Sequence, residues 1–219
     1  MNHHTPAELH IASSLGRRPG LLGRVKGMLF APRAEWELIA REAAPVAQIY
    51  TQFVIPLAAL GALVGLIEVS IVGTANPLLN VLHIPLISGL ATGALAFACG
   101  LSGIFLVALI IDALVPFFGA VRDRRLATAI AAYAATPVWV AIAFIPFPTI
   151  WPVLQVLAVG YHTYLLYLGL RVLMRAPRDR VLGYATTVVL CTILLEIMFT
   201  IVTTALGGAA HESLYADWV

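Results

Sequence analysis

The residues of this chain that can do chemistry lie inside apolar sequence. Glu196 stands fifteen residues into the run that begins at Val181, a depth of about 22 Å at 1.5 Å per helical residue. Thr192, Glu196, Thr200 and Thr203 recur at helical spacing and share one face. An ionisable group at that depth in a membrane is costly, so such a face is expected to look into a bundle interior or a water-filled cavity. Two readings stand: a proton or cation site, or a protonated glutamic acid hydrogen-bonded to a neighbouring helix. His162, flanked by Tyr161 and Tyr164, reaches similar depth in the preceding run. It reads either as a satisfied core histidine or as Glu196's partner in proton transfer or divalent-ion binding. Two ligands are too few for a metal centre, and none is predicted. Glu68 and His83 fall near the other ends of their runs and can line an outward-opening cavity or simply reach water. Asp112 is expected to pair with one of the arginines that follow it. Met1-Asn2-His3 has the free-amine, third-position-histidine pattern that binds Cu(II) or Ni(II), and also arises by chance.

What must position these groups is a membrane bundle. Hydrophobic residues make up 61% of the 219, charged residues 11%, and mean hydropathy is +0.94. Soluble domains carry about 25% charged residues. Five runs exceed the roughly 18 residues needed to span a bilayer: 48–72, one within 84–118, 126–146, 150–174 and 181–206. Residues 1–20 form a polar tail with no apolar core of signal length, so the first run reads as an uncleaved anchor. Residues 207–219 read as a short external tail. No basic stripe on a soluble domain is present, which argues against nucleic acid as a partner. Cys99 and Cys191 lie inside apolar runs and read as small hydrophobes. The sequence shows no phosphate-binding glycine loop, Ser-His-Asp order, HExxH or CxxC. An enzyme is therefore not expected, nor is a cofactor.

Orientation follows from the cations. Arg17, Arg18, Arg24, Lys26, Arg33 and Arg41 precede the first run; Arg122, Arg124 and Arg125 lie between the second and third; Arg171, Arg175, Arg178 and Arg180 flank the junction of the fourth and fifth. Those are all thirteen, and the alternate connections carry none. The positive-inside rule puts the N-terminus in the cytoplasm and the C-terminus outside, in a bacterial-type inner membrane.

Residues 21–46 read as one or two amphipathic helices on the cytoplasmic side. Leu21, Leu22, Val25, Met28 and Leu29 make one apolar face, with Arg24 and Lys26 off it. Pro32 suits the first turn of a second helix, whose apolar face is Trp36, Ile39 and Ala40. Such a segment fits either the membrane surface or the end of the bundle. Small residues supply close approach between spans: Gly61 and Gly65 in the first, Gly89, Gly93, Ala96, Gly100 and Gly103 in the second, and a run of alanines in the third. They serve internal packing or a homo-oligomer face. Pro56, Pro116 and Pro137 can each kink a span.

Several of these stretches resemble the Yip family, named for interaction with Ypt/Rab GTPases. The segment from Leu29 to Ile39 is similar to the Pro-x-x-x-Trp-x-x-Ile signature of bacterial members, carried here by Pro32 and Trp36. Tyr133 and Pro137 match a Tyr-x-x-x-Pro element in the third span, and Tyr161, Tyr164 and Tyr167 match a tyrosine-rich fourth. The resemblance covers residues 21–206 and implies a membrane protein without recognised catalysis. Twelve arginines against one lysine, with abundant alanine, suggest a GC-rich bacterium, in which Rab partners would be absent. The expected fold is an all-α membrane protein, a bundle of five transmembrane helices over residues 47–206. The leading expectation for function is a non-enzymatic protein that organises membrane or binds a membrane-protein partner. The alternative is a proton or cation transporter built on Glu196.

Overall fold

A backbone without water must satisfy its own N–H and C=O groups, so each long apolar run closes into a helix. The computed structural model describes the backbone of residues 19–72, 74–76, 80–82 and 86–216, and the side chains of 19–71, 86–87 and 89–202. Two short helices come first, α1 (Leu21–Phe30) and α2 (Pro32–Glu42), with Pro32 in the first turn of the second. The first span, Val46–Ile71, is built from α3 (Val46–Ile49), a π-helical turn (Tyr50–Val54), α4 (Ile55–Ile67) and a second π-helical stretch (Glu68–Val72). The widened turn lies where Pro56 removes an intrahelical N–H, a common place for a π-bulge. A hairpin of two three-residue strands follows, β1 (Thr74–Asn76) and β2 (Asn80–Leu82), antiparallel with Ala75 opposite Val81. The remaining elements are α5 (Leu86–Phe118), α6 (Arg124–Ala134), α7 (Thr136–Ile142), α8 (Trp151–Val172) and α9 (Val181–Ala216). Five helical stretches are long and apolar enough to cross a membrane, the third being α6 and α7 together.

That third span is the centre of the bundle. Every residue from Ala127 to Ala134 is buried, because alanine lets neighbouring backbones come close. Asp123 starts α6 by accepting from the backbone N–H groups of Arg125 (2.8 Å) and Leu126 (3.3 Å). The span breaks at Ala135, two residues before Pro137. Pro137 cannot donate to the Tyr133 carbonyl, and the Thr136 hydroxyl does so instead at 2.5 Å. Trp139 of α7 fills the gap between the first two spans. A Cβ on Gly61 would lie 3.4 Å from its ring and one on Gly100 3.1 Å. Gly93 meets the Ala62 carbonyl and Gly103 meets Phe199, so these glycines serve packing within the chain.

Direct bonds gather the arginine-bearing segments at one end. The Val121 N–H donates to the Met174 carbonyl at 2.8 Å, and Arg125 Nη1 donates to the Ala43 carbonyl at 3.1 Å. Gly119, at φ +69°, closes α5 there, where a side chain would be strained. At the other end α9 continues to Ala216, ten residues beyond the expected limit of 206. No proline stands between Val181 and Ala216 to stop it. The tail at 1–18, Met1-Asn2-His3 and His83 lie outside the described residues, as does the side chain of Thr203.

Candidate functional site

At the arginine-rich end, α1 and α2 fold back onto the third and fourth spans. Arg24 is the pivot of that contact. On α2, Glu35 and Glu42 are seven residues apart, two helical turns, and therefore stack on one face. Arg24 lies between them, donating to Glu35 Oε1 at 2.6 Å and to Glu42 Oε2. Its guanidinium also lies over the Tyr133 ring, 5.3 Å from the centroid. Arg24 is only 5% exposed. This corrects the expectation that it sits off the packed face: Leu22 is the residue turned outward, and Arg24 with Met28 is buried. A buried carboxylate pair one helix away outweighs the local pattern, because paired charges tolerate burial. Gly27 leaves room for this arrangement, since a Cβ there would displace the Glu35 carboxylate from its present position.

The residues of the two sequence motifs converge on this contact. Pro32 opens α2 and Trp36 is fully buried. Its ring covers Gly169 of α8, where a Cβ would approach Cζ2 to 3.0 Å. Ile39 is buried beside it, while Ala40, expected on the same face, is exposed. Tyr133 stands edge-on to Phe53 of the first span, centroids 4.8 Å apart. Tyr161 donates its hydroxyl to the carbonyls of Leu29 (2.8 Å) and Met28 (3.3 Å), satisfying the end of α1. Pro137 sets the break that turns the Ala134 carbonyl toward α8. There His162 Nδ1 lies 2.8 Å from it. A carbonyl only accepts, so Nδ1 carries the proton. Nε2 is buried with no hydrogen-bond partner among the described residues.

The intramembrane candidates are not assembled into one site. Glu196 is on an exposed face of α9, among exposed Ile193, Leu194, Ile197 and Met198, rather than in the bundle interior that the sequence led us to expect. Thr192 and Thr200 each donate to a carbonyl of their own helix, Val188 and Glu196, at 2.9 Å. His162 is buried and bonds the third span, with no bond to Glu196. Glu68 is half-buried at the start of the second π-helical stretch. Asp112 is 3% exposed and takes Arg122 Nη2 at 3.0 Å and Arg124 Nε at 3.5 Å, the pairing the sequence suggested. That contact holds the Arg122 guanidinium above its usual range. Tyr184 reaches the Ile111 carbonyl and stacks on Phe118 at 4.7 Å. Cys99 and Cys191 are free thiols, and no group of three metal-ligating side chains occurs among the described residues.

Two hollows border the contact. One, of about 200 Å³, is apolar, lined by Leu29, Pro137, Phe144, Leu157 and Tyr161 among others. The second, of about 410 Å³, lies between α2 and α8 and is lined by Arg33, Glu37, Tyr164, Tyr167, Leu168, Arg171 and Val172. Neither is lined by Glu196 or His162. Sequence reasoning missed Arg24, Glu35 and Glu42; the seven-residue interval between the two glutamates was the legible signal.

Compared with known proteins, residues 26–199 match the family described as the Yip1 domain. No curated protein and no solved structure is matched.

Proposed function

The chain belongs to the Yip1-domain family of membrane proteins, and on that premise we propose that it is a non-enzymatic protein that organises membrane or binds partners through α1 and α2. The observation that carries this reading is the way these helices are held. Arg24, Trp36 and Tyr161 fix them rigidly on the bundle, yet Leu22 and Phe30 remain 75% and 83% exposed. Apolar side chains presented from a fixed platform beside the bundle suit insertion at a membrane surface or contact with another membrane protein. By the positive-inside rule the platform faces the cytoplasm of an inner membrane and the C-terminus faces out. The transport reading draws less support, because neither Glu196 nor His162 lines either hollow and the two make no bond to each other among the described residues.

Proteoliposomes test both readings. Wild-type protein is expected to alter vesicle diameter or curvature in electron micrographs, and the Leu22→Glu, Phe30→Glu double variant to lose that effect without loss of fold. No proton or divalent-cation flux is expected from wild type or from Glu196→Gln. Flux in the wild type that disappears in Glu196→Gln would replace this proposal with the transporter.

A further inference from the structure

The cleft between α2 and α8 has a composition that the platform reading does not use. Two guanidiniums, Arg33 and Arg171, line it. Neither makes an ion pair with a carboxylate among the described residues, although Glu37 stands one turn from Arg33 in the same cleft. Arg24, by comparison, has Glu35 and Glu42, and Arg122 and Arg124 share Asp112, whereas Arg41, Arg175 and Arg178 are without an ion pair among the described residues as well. Arg171 is moreover held in place without an anion. Its guanidinium lies over the Tyr167 ring at 5.6 Å, and Nη1 donates to the Tyr167 hydroxyl at 3.1 Å. Stacking of this kind fixes the planar fork while leaving other N–H groups to bind a phosphate bidentately.

The depth of the cleft matches a lipid rather than a soluble ion. Arg171 is in the last turn of α8, and Tyr164 is seven residues, about 10 Å, further into the span. Between them Leu168, with Val172 beside Arg171, gives an apolar lining. The cleft thus runs from a charged mouth into the hydrocarbon zone, the profile of a headgroup followed by acyl chain. Two arginines and one glutamate leave a net single positive charge, which one phosphodiester neutralises.

We propose that this cleft binds the headgroup of one singly anionic glycerophospholipid, with Arg33 and Arg171 on its phosphate and Tyr164 and Tyr167 along its upper chain. The site stands independently of the proposed function, since a scaffold or a transporter can carry it.

The test uses the full-length protein in detergent, with dioleoyl-phosphatidylglycerol, the phosphatidylethanolamine and phosphatidylcholine analogues, and inorganic phosphate as probes. Native mass spectrometry counts bound lipid, and a thermal shift gives apparent affinity. One tightly held phosphatidylglycerol is expected. Arg33→Gln and Arg171→Gln should each weaken it about tenfold, the effect of losing one charge-assisted contact. Arg33 is exposed, so its variant tests the site without risk to the fold. Arg171→Lys, which keeps the charge but loses the fork, should weaken binding less than Arg171→Gln. Glu37→Gln should leave phosphatidylglycerol bound at least as tightly. Displacement of the lipid by millimolar phosphate would overturn the proposal in favour of a soluble anion. Preference for phosphatidylethanolamine that vanishes in Glu37→Gln would overturn the anionic choice. Equal lipid retention by wild type, Arg33→Gln and Arg171→Gln would remove the site altogether.

Discussion

Replacing Arg24 by methionine tests the centre of the platform. The substitution keeps a long unbranched side chain but removes the guanidinium that Glu35 and Glu42 share. The side chains of the three residues are 6%, 12% and 11% exposed, so water cannot replace the lost partner. Breaking a buried ion pair from one side costs about 3–5 kcal/mol, far above the roughly 0–1 kcal/mol of a surface pair. The cation over the Tyr133 ring adds to the loss. At 2–4 °C per kcal/mol for a chain of this size, the apparent Tm should fall by roughly 6–20 °C. Fluorescence-detected size exclusion after heating measures it on purified protein. The triple variant Arg24→Met, Glu35→Leu, Glu42→Leu should recover most of that loss, because apolar replacement of an entire buried triad is often neutral or stabilising. A fall within the surface-pair range for Arg24→Met would mean the cluster is solvated. A triple variant as unstable as the single one would mean that packing, not charge compensation, holds α1 and α2 in place.

Two further substitutions probe the same contact. Gly169→Leu drives a side chain into the Trp36 ring and Ile130, and should cost about 1–3 kcal/mol or release α2, seen as new protease sensitivity near Ala43. Ala43, the C-cap of α2 at φ 44°, carries a left-handed strain that glycine avoids; Ala43→Gly should stabilise by about 1 kcal/mol, measured as a rise in apparent Tm.

Much of the architecture was legible because a bilayer restricts the solutions. The lengths of the apolar runs determined five helical spans, and Pro32 marked a helix start by local chemistry that needs no tertiary context. The motif residues Pro32, Trp36, Tyr133 and Pro137 identified the family from sequence alone. Asp112 also told its role, since three arginines follow the end of its helix and one of them was expected to pair with it. What the sequence left open were the rotations of helices about their own axes. Along α9 Thr192, Glu196 and Thr200 share one face that the sequence led us to expect toward the bundle, but the pattern of a single helix does not fix its rotation, and packing turned Glu196 outward. In α1 the local pattern pointed Leu22 inward, but two glutamates on the next helix drew Arg24 in instead. Pairing energy across helices is absent from any single helix's pattern, and so is the cleft between α2 and α8. Composition and length determined that this chain spans a membrane and how often; only the tertiary contacts decided which of its charges are buried together and which remain free to meet a ligand.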